Sequence, residues 1–576
     1  MTLERLNTDI LILGAGGAGL FAALHAHDAN PELDVTVASK GLLGKCGCTR
    51  MVQGGYNVAV NPGDSVERHF MDTIEGGKWL PHQELAWTLV TTAIERVREL
   101  ENEIGCFFDR NPDGTLHGKA FAGQTFDRTV HKGDLTGIEI INRLMEQVWA
   151  RPIRRLEEHR AVALVPTTDG AIAGVLMIDV RSGEFRFVAA QAVLLATGGG
   201  PTMYRYHTPS GDKSMDGLAM ALRAGLPLRD MEMVQFHPTG LLAGPDTRMT
   251  GTVLEEGLRG AGGYLLNGAM HRFMGDYDDK LERATRDVVS RAIYAEMRAG
   301  RTTPHGGVYI KMGHLGPANV AKQFKGMVDR CRDCGFDLAG GLVEVVPTAH
   351  YFMGGVVCRA DTVTASPGLF VAGEDASGMH GANRLGGNGV ANSTVFGGIA
   401  GDVMPRWIAA NPGRRPPDEA MLDAEMERAL QPFSRKGGDL NRLREQLLDT
   451  MWDEVGVVRD RAGLARGIAA LEAIEAELLA TGIADGGRAF NLTWHDWLNL
   501  RSLVEISRVI ALAALKRENS RGAHFRSDFP EPGELATSRF TLARQTAQGI
   551  EITDEPVEFT HVKPGETLLQ DKIAAE

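Results

Sequence analysis

Residues 44–57, GKCGCTRMVQGGYN, set Cys46 and Cys48 one residue apart in a glycine-rich loop that also carries Arg50, Gln53, Gly54 and Gly55. A thiolate there would be a nucleophile or a ligand, and a protonated thiol a small buried apolar group. Cys331 and Cys334 have the C-x-x-C spacing, but a metal site needs two further ligands and no second C-x-x-C exists. Six cysteines in 576 residues do not make a disulfide framework, so a reducing cytoplasm is the simpler reading. The strongest local signal is the run Gly14, Ala15, Gly16, Gly17, Ala18, Gly19, in which Gly14, Gly16 and Gly19 have the G-x-G-x-x-G spacing. Glycines so placed allow a tight turn and let a pyrophosphate approach bare backbone at a helix N-terminus.

That chemistry requires particular elements on either side. Residues 9–13 (DILIL) read as a buried parallel strand, LFAALHAHD as the helix after the turn, and residues 35–38 (VTVA) as the second strand. The second strand ends in Ser39 and Lys40, not in the acid that holds a ribose 2′-hydroxyl. This weakens an NAD reading and leaves another dinucleotide open. QAVLLATGGG (191–200) and GLFVAGE (368–374) read as further strands, the second placing Glu374 at the carboxyl end where ligands of open α/β sheets bind. The long interval between them implies an insertion within the nucleotide domain.

Hydrophobic content of 43%, charged content of 23% and aromatic content of 6% describe an ordinary soluble globular protein. Its length predicts about three or four domains. A net charge of −13 argues against nucleic acid or an anionic membrane as the main partner, and an anionic substrate would have to be met by a local cluster of Arg and His. The N-terminus has no secretory leader pattern, and no apolar stretch approaches the ~18 residues needed to span a bilayer. A cytoplasmic chain is expected, peripheral to a membrane only through partner subunits.

Seven motifs then occur in order: MVQGG (51–55), FHPTG (236–240), EEGLRGAGGYLLN (255–267), RDVVSRAI (286–293), PTAHYFMGG (347–355), HGANRLGGN (380–388) and RGAHFRSDFP (521–530). Together they resemble the flavoprotein subunits of succinate dehydrogenase and fumarate reductase, a family that includes L-aspartate oxidase. The resemblance covers nearly the whole chain. It implies an α/β FAD-binding Rossmann-like domain (1–236 and 356–415), an inserted α+β capping domain (237–355) and a C-terminal helical domain (416–576). FAD would contact Gly14 to Gly19, Ser39, Lys40, Cys48, Thr49, Gln53, Gly54, Gly55, Asp216 and Glu374. Cys48 stands where membrane-bound relatives carry the His bonded to FAD, so the flavin is expected to be noncovalent and Cys48 a buried thiol beside it.

The same resemblance implies the roles of the charged residues. Arg384 and His350 would hold one substrate carboxylate, and His237 would help hold the other. Arg286 would exchange a proton with the substrate, with Glu256 and Arg259 as the relay behind it. Phe121 would stand near the substrate. Arginine suits such a clamp because its planar fork meets a carboxylate bidentately. Two departures stand out. Glu255 occupies the position of a substrate-binding Thr, where an ionised carboxylate would repel a dicarboxylate unless protonated, paired or turned away. NGVANSTVFGG (388–398) replaces the usual Ser-Leu-Leu at the flavin end, which suggests different packing against the ring. The expected activity is succinate–fumarate interconversion or a close dicarboxylate analogue. The competitors are an L-aspartate oxidase-like amino-dicarboxylate oxidase and a noncatalytic flavin-bearing assembly subunit. No ferredoxin-type cysteine run is present, so electrons would pass to a soluble acceptor, to oxygen or to a separate iron–sulfur subunit.

Overall fold

The computed structural model describes residues 3–244, 247 and 249–569. Strand Leu3–Leu13 extends beyond the five residues read from the sequence, because residues 3–8 continue its pairing with strand Phe185–Leu195. Ile10, Leu11, Ile12 and Leu13 are fully buried at its carboxyl half. Val35–Ser39 pairs parallel on the other side, with Arg154–Glu157 beyond it, and Leu369–Val371 joins the carboxyl half of Phe185–Leu195. The four strand signals of the sequence therefore lie in one parallel arrangement. The antiparallel pair His159–Pro166 and Ile172–Asp179 completes the sheet.

Helices Gly17–Ala29 and Asn388–Ala410 pack closely on each other. A Cβ on Gly397 would stand 2.5 Å from the Ala18 carbonyl oxygen, and one on Gly401 would stand 2.4 Å from the Cβ of His25. Gly397, in the segment 388–398, thus serves helix contact.

Two long antiparallel strands, Val234–Leu241 and Leu342–Phe352, lead from this body into the inserted α+β unit. Val234, Phe236, Val346, Ala349 and Phe352 belong to the main core. Leu241, Val343 and Val345 belong to a second core with Leu254, Phe273, Val289, Ile293, Ile310 and Met327. The insert is therefore continuous with the body through a shared ladder. Strands Val308–Lys311 and Tyr264–Leu266 complete its sheet, and helix Arg286–Arg298 packs against it. Pairing slips between His237 and Gly240, where Pro238 has no N–H to give to the ladder.

The C-terminal region contains helices Glu419–Leu430, Leu440–Asp453, Arg461–Ala480 and Leu492–Lys516. Each begins at an Asp or Asn whose side chain accepts a backbone N–H three residues on: Asp418, Asp439, Asp460 and Asn491. Beyond them the region adds a hairpin, Arg539–Thr546 with Gly549–Pro556, which pairs with Leu228–Arg229 of the body. The motif at 521–530 is structural here. Arg526 forks onto Asp528 at 2.7 and 2.6 Å, and His524 bonds Arg459 at 2.8 Å. Arg459 in turn donates to the Glu232 carbonyl at 2.9 Å, just ahead of strand Val234–Leu241.

Candidate active site

A cavity of 440 Å³ runs from the carboxyl edge of the parallel sheet to the junction with the insert. Gly14, Ala15, Gly16, Gly17 and Ala18 line it, as do Ser39, Lys40, Cys48, Thr49, Gln53, Gly54, Gly55, Asp216 and Glu374. Phe121, His237, Glu255, Glu256, Arg286, His350 and Arg384 line it as well. Of the residues that the resemblance assigns to flavin or substrate, Gly19 and Arg259 do not border it, and neither do Cys331 and Cys334.

The glycine end is made of backbone. Gly14 has φ +116°, and a Cβ there would stand 2.1 Å from the Ala196 carbonyl oxygen. A Cβ on Gly19 would stand 1.9 Å from the Gly14 carbonyl oxygen, so Gly19 serves the packing of helix on strand. Gly16 precedes helix Gly17–Ala29 without a side chain to cap it, and Thr49 Oγ1 accepts from the Gly17 N–H at 3.0 Å. Around Gly16 a Cβ would meet only Thr49, at 3.4 Å. A helix N-terminus facing a cavity, with Gly16 bare beside the Thr49 hydroxyl that accepts from Gly17, fits the pyrophosphate of a dinucleotide.

In the middle, Lys40 and Asp216 meet each other. Lys40 Nζ is 3.0 Å from Asp216 Oδ2, and Arg160 Nη2 is 2.7 Å from Asp216 Oδ1. Burial would raise the Asp216 carboxyl, but Arg160 and Lys40 outweigh it and hold it well below the ordinary range. Burial pushes the Cys48 thiol up to about 12. It is therefore a neutral thiol and a poor nucleophile. Burial also pushes Glu374 up to about 7, although its Oε1 accepts the Phe352 N–H at 3.0 Å.

The other end is a network of side chains. Arg286, at the start of helix Arg286–Arg298, donates from Nε and Nη2 to Glu256 Oε2 at 2.9 and 2.6 Å. Its Nη1 donates to Gln235 Oε1 at 3.0 Å. On the far side of Glu256, Arg259 Nη2 stands 3.5 Å from Oε1, and Arg259 Nη1 donates to the Glu282 carbonyl at 2.7 Å. The sequence grouping Arg286, Glu256, Arg259 is thus one contiguous chain of charges. Burial would raise the Glu256 carboxyl, but Arg286 and Arg259 keep it below its ordinary value.

Arg384 lies with its Cζ 4.3 Å from the centre of the Tyr351 ring, and its Nε has no partner. Burial, and then the Arg286 charge, lowers it to about 10. His237 and His350 are 5.4 Å apart between ring centres, and burial followed by Arg286 keeps both well below the ordinary histidine value. Both are neutral. The Thr239 N–H donates to His237 Nδ1 at 3.3 Å, which leaves the proton on Nε2. Thr208 Oγ1 and His350 Nδ1 are 2.8 Å apart. Phe121 fits between two glycines: a Cβ on either Gly54 or Gly386 would come within 2.5 Å of its ring.

Sequence reasoning missed Gln235, Thr208, Tyr351 and Arg330. Gln235 stands one residue before the FHPTG motif, and its Nε2 donates to Asn383 Oδ1 at 2.9 Å and to the Arg384 carbonyl at 2.8 Å. It therefore ties the Arg286 and Arg384 segments together. Arg330 immediately precedes the CRDC pair, whose signal in the sequence is its thiols. Burial pushes the Cys331 thiol up to about 12. Among the described residues no group of His, Cys, Asp or Glu is placed to hold a metal ion, and no helix is long and apolar enough to cross a membrane.

Comparison with known proteins agrees with this architecture. The FAD binding domain family matches residues 9–390, and the fumarate reductase flavoprotein C-terminal family matches residues 444–568. A subunit of the CoM/CoB fumarate reductase of Methanothermobacter marburgensis is 39% identical over 92% of this chain and 96% of its own. An uncharacterized FAD-dependent oxidoreductase of Methanocaldococcus jannaschii is also 39% identical, over 92% of this chain and 95% of its own. The solved FrdA chain of an E. coli quinol fumarate reductase variant superposes with a TM-score of 0.92 at 32% identity, covering 98% of this chain and 99% of that one. With the glycine cradle, the shared cavity and these matches in hand, the chain belongs to the FAD-dependent succinate dehydrogenase/fumarate reductase flavoprotein family.

Proposed function

We propose that this oxidoreductase interconverts a four-carbon saturated carboxylate and its C=C counterpart, succinate and fumarate or a close analogue, with noncovalent FAD. The carrying observation is that Arg286, fixed by Glu256 and Gln235, opens into the cavity that the glycine turn also lines. Gly14 to Ala18 and residues 48–55 would hold FAD, which would supply two-electron hydride chemistry when bound. Arg286 moves the proton at one carbon of the substrate. A guanidinium is ordinarily a very weak acid. Glu256, kept ionised between two arginines, orients Arg286 and returns its proton, with Arg259 behind it. Arg384, its Nε free, grips a substrate carboxylate. His237 and His350, both neutral, contribute hydrogen bonds without adding charge.

Noncovalent attachment is supported by Cys48, a thiol lining the cavity where membrane-bound relatives carry the histidine bonded to FAD. Electrons would pass to a separate iron–sulfur subunit or to a soluble acceptor. The relatives named as subunits favour the former, and through such a partner the chain could sit peripherally at a membrane. One observation favours a second reading, an oxidase of an amino dicarboxylate: Glu255 at the cavity wall. The test is anaerobic. Succinate and L-aspartate are added to separate samples and bleaching of the flavin band is followed. Bleaching by succinate, or reoxidation of the chemically reduced band by fumarate or its monoamide, supports the main reading, bleaching by aspartate alone supports the second, and a band unmoved by all of these removes both.

A further inference from the structure

Glu255 and Glu256 are neighbours in sequence with opposite surroundings. Glu256 is clamped by Arg286, whereas Glu255, only 3% exposed, has an Oε2 with no hydrogen-bond partner. The Oε1 of Glu255 lies over Gly257, 3.3 Å from where a Cβ would stand. The Lys119 ammonium is 3.5 Å from Oε2, an ion-pair distance, because it donates to the Gly133 carbonyl at 2.7 Å. Arg330 lines the same cavity. Its Nη1 donates to the Val253 carbonyl at 2.9 Å, and Gln53, with its amide oxygen turned toward it, accepts from Nη2 at 3.1 Å. The cavity wall therefore carries a fixed cation beside the Glu255 carboxylate, whose Oε2 is ion-paired with Lys119 but makes no hydrogen bond.

A second substrate carboxylate suits this wall poorly. It has acceptors only, so it would satisfy Arg330 but give an ionised Glu255 no hydrogen bond, and its like charge would raise further a carboxyl that burial already raises against the Lys119 charge. A carboxamide suits both groups: its carbonyl accepts from Arg330 and its N–H donates to Glu255. Resting on the function proposed above, we infer that Glu255 and Arg330 select a substrate with one carboxylate, held by Arg384, and a neutral carboxamide-like group at the other end. The reaction is otherwise unchanged. Two electrons and two protons convert the C=C bond of fumaric acid monoamide to the CH₂–CH₂ bond of succinic acid monoamide.

The test uses the FAD-loaded protein with a reduced viologen dye as electron donor, and compares kcat/KM for fumaric acid monoamide and for fumarate. The monoamide should be preferred by at least about tenfold, the scale on which a buried polar group left unpaired discriminates. Glu255→Thr removes the acceptor and Glu255→Gln removes the charge with little change in volume, and each should lower the ratio. If one variant loses its flavin spectrum, the other carries the comparison. A wild-type ratio at or below one, or a ratio unchanged in the loaded variants, overturns this inference while leaving the proposed function intact. If neither compound is reduced or perturbs the flavin absorption, the underlying function is overturned along with it.

Discussion

The two ends of the cavity are built from different material. At the glycine end the chain offers chiefly backbone, with the Thr49 hydroxyl alongside, and one turn between a strand and a helix does most of it. At the other end the working groups are side chains held by other side chains. Arg286 is fixed by residues 30 and 51 positions away, and Gln235 reaches residues 148 and 149 positions away. The difference separates binding from chemistry. A backbone cradle tolerates changes of charge but not of volume, and a side-chain network does the reverse.

Arg286→Ala strikes the network at its centre and should show the largest effect. Removal of a proton-transfer group costs about 10²–10⁴-fold in rate, so kcat should fall by about 10³ while the flavin spectrum and FAD content stay as in wild type. Full turnover in this variant would end the assignment of the proton to Arg286. The guanidinium it removes also balances Glu256, so a modest fall in melting temperature is expected from the carboxylate left buried.

Gln235→Leu tests whether the network acts as a unit. Gln235 is fully buried and bonds Arg286 Nη1, Asn383 and the Arg384 carbonyl, so leucine should loosen the proton donor and the carboxylate clamp together. Misplacement of about 1 Å can cost about 10²-fold, and the loss should fall on kcat more than on KM. Gln235→Glu would place a second anion on Arg286. A bystander glutamine would leave the pH–rate profile unmoved in both variants.

Gly16→Val probes the other end. A Cβ at Gly16 meets nothing nearer than Thr49 Oγ1 at 3.4 Å, so the apoprotein should melt as wild type does. The added branch would stand in the cradle. Overpacking of this kind costs about 1–3 kcal/mol, so FAD affinity should drop at least about tenfold, measured by flavin retained after desalting. Holoenzyme formed from it should keep its kcat. If kcat fell instead, the division between cradle and network would be wrong.

The same division explains what was legible in the sequence. The G-x-G-x-x-G turn is readable because its chemistry lies in six consecutive residues, whereas Glu256, Arg259 and Arg286 were legible only through the resemblance of their motifs to a known family. The four parallel strands announced themselves as apolar runs that are in fact buried. The hairpin Arg539–Thr546 and Gly549–Pro556 did not, because most of its second strand is exposed and charged. Gln235 and Arg330 could not be read as site residues at all. Their neighbours are set by the register of Val234–Leu241 on Leu342–Phe352 and by the approach of helix Lys325–Asp333 to residue 253, which are properties of tertiary packing. Proximity of a glutamine to FHPTG was the one available signal.

The smallest expected effect concerns Glu374, which lies at the sheet edge and has a carboxyl raised from an ordinary value near 4.5 to about 7, chiefly by burial. A carboxyl whose folded-state value exceeds its unfolded one binds more protons when folded. Its contribution to stability is therefore full below pH 4.5 and declines as pH rises toward 7. Asp230 has the same sign, raised by burial against the Arg517 charge, so the decline is shared. Glu255, Asp375 and Asp453 are raised by burial as well, and Glu374→Gln removes one of these titrating groups. In the apoprotein, the melting temperature of Glu374→Gln relative to wild type should rise by a few degrees or less between pH 5 and 7, because wild type alone loses the Glu374 contribution there. FAD placed against Glu374 would alter that difference. A difference that stays constant over this range would mean that Glu374 stays ionised at neutral pH, and that the edge of the sheet is better hydrated than its enclosure implies.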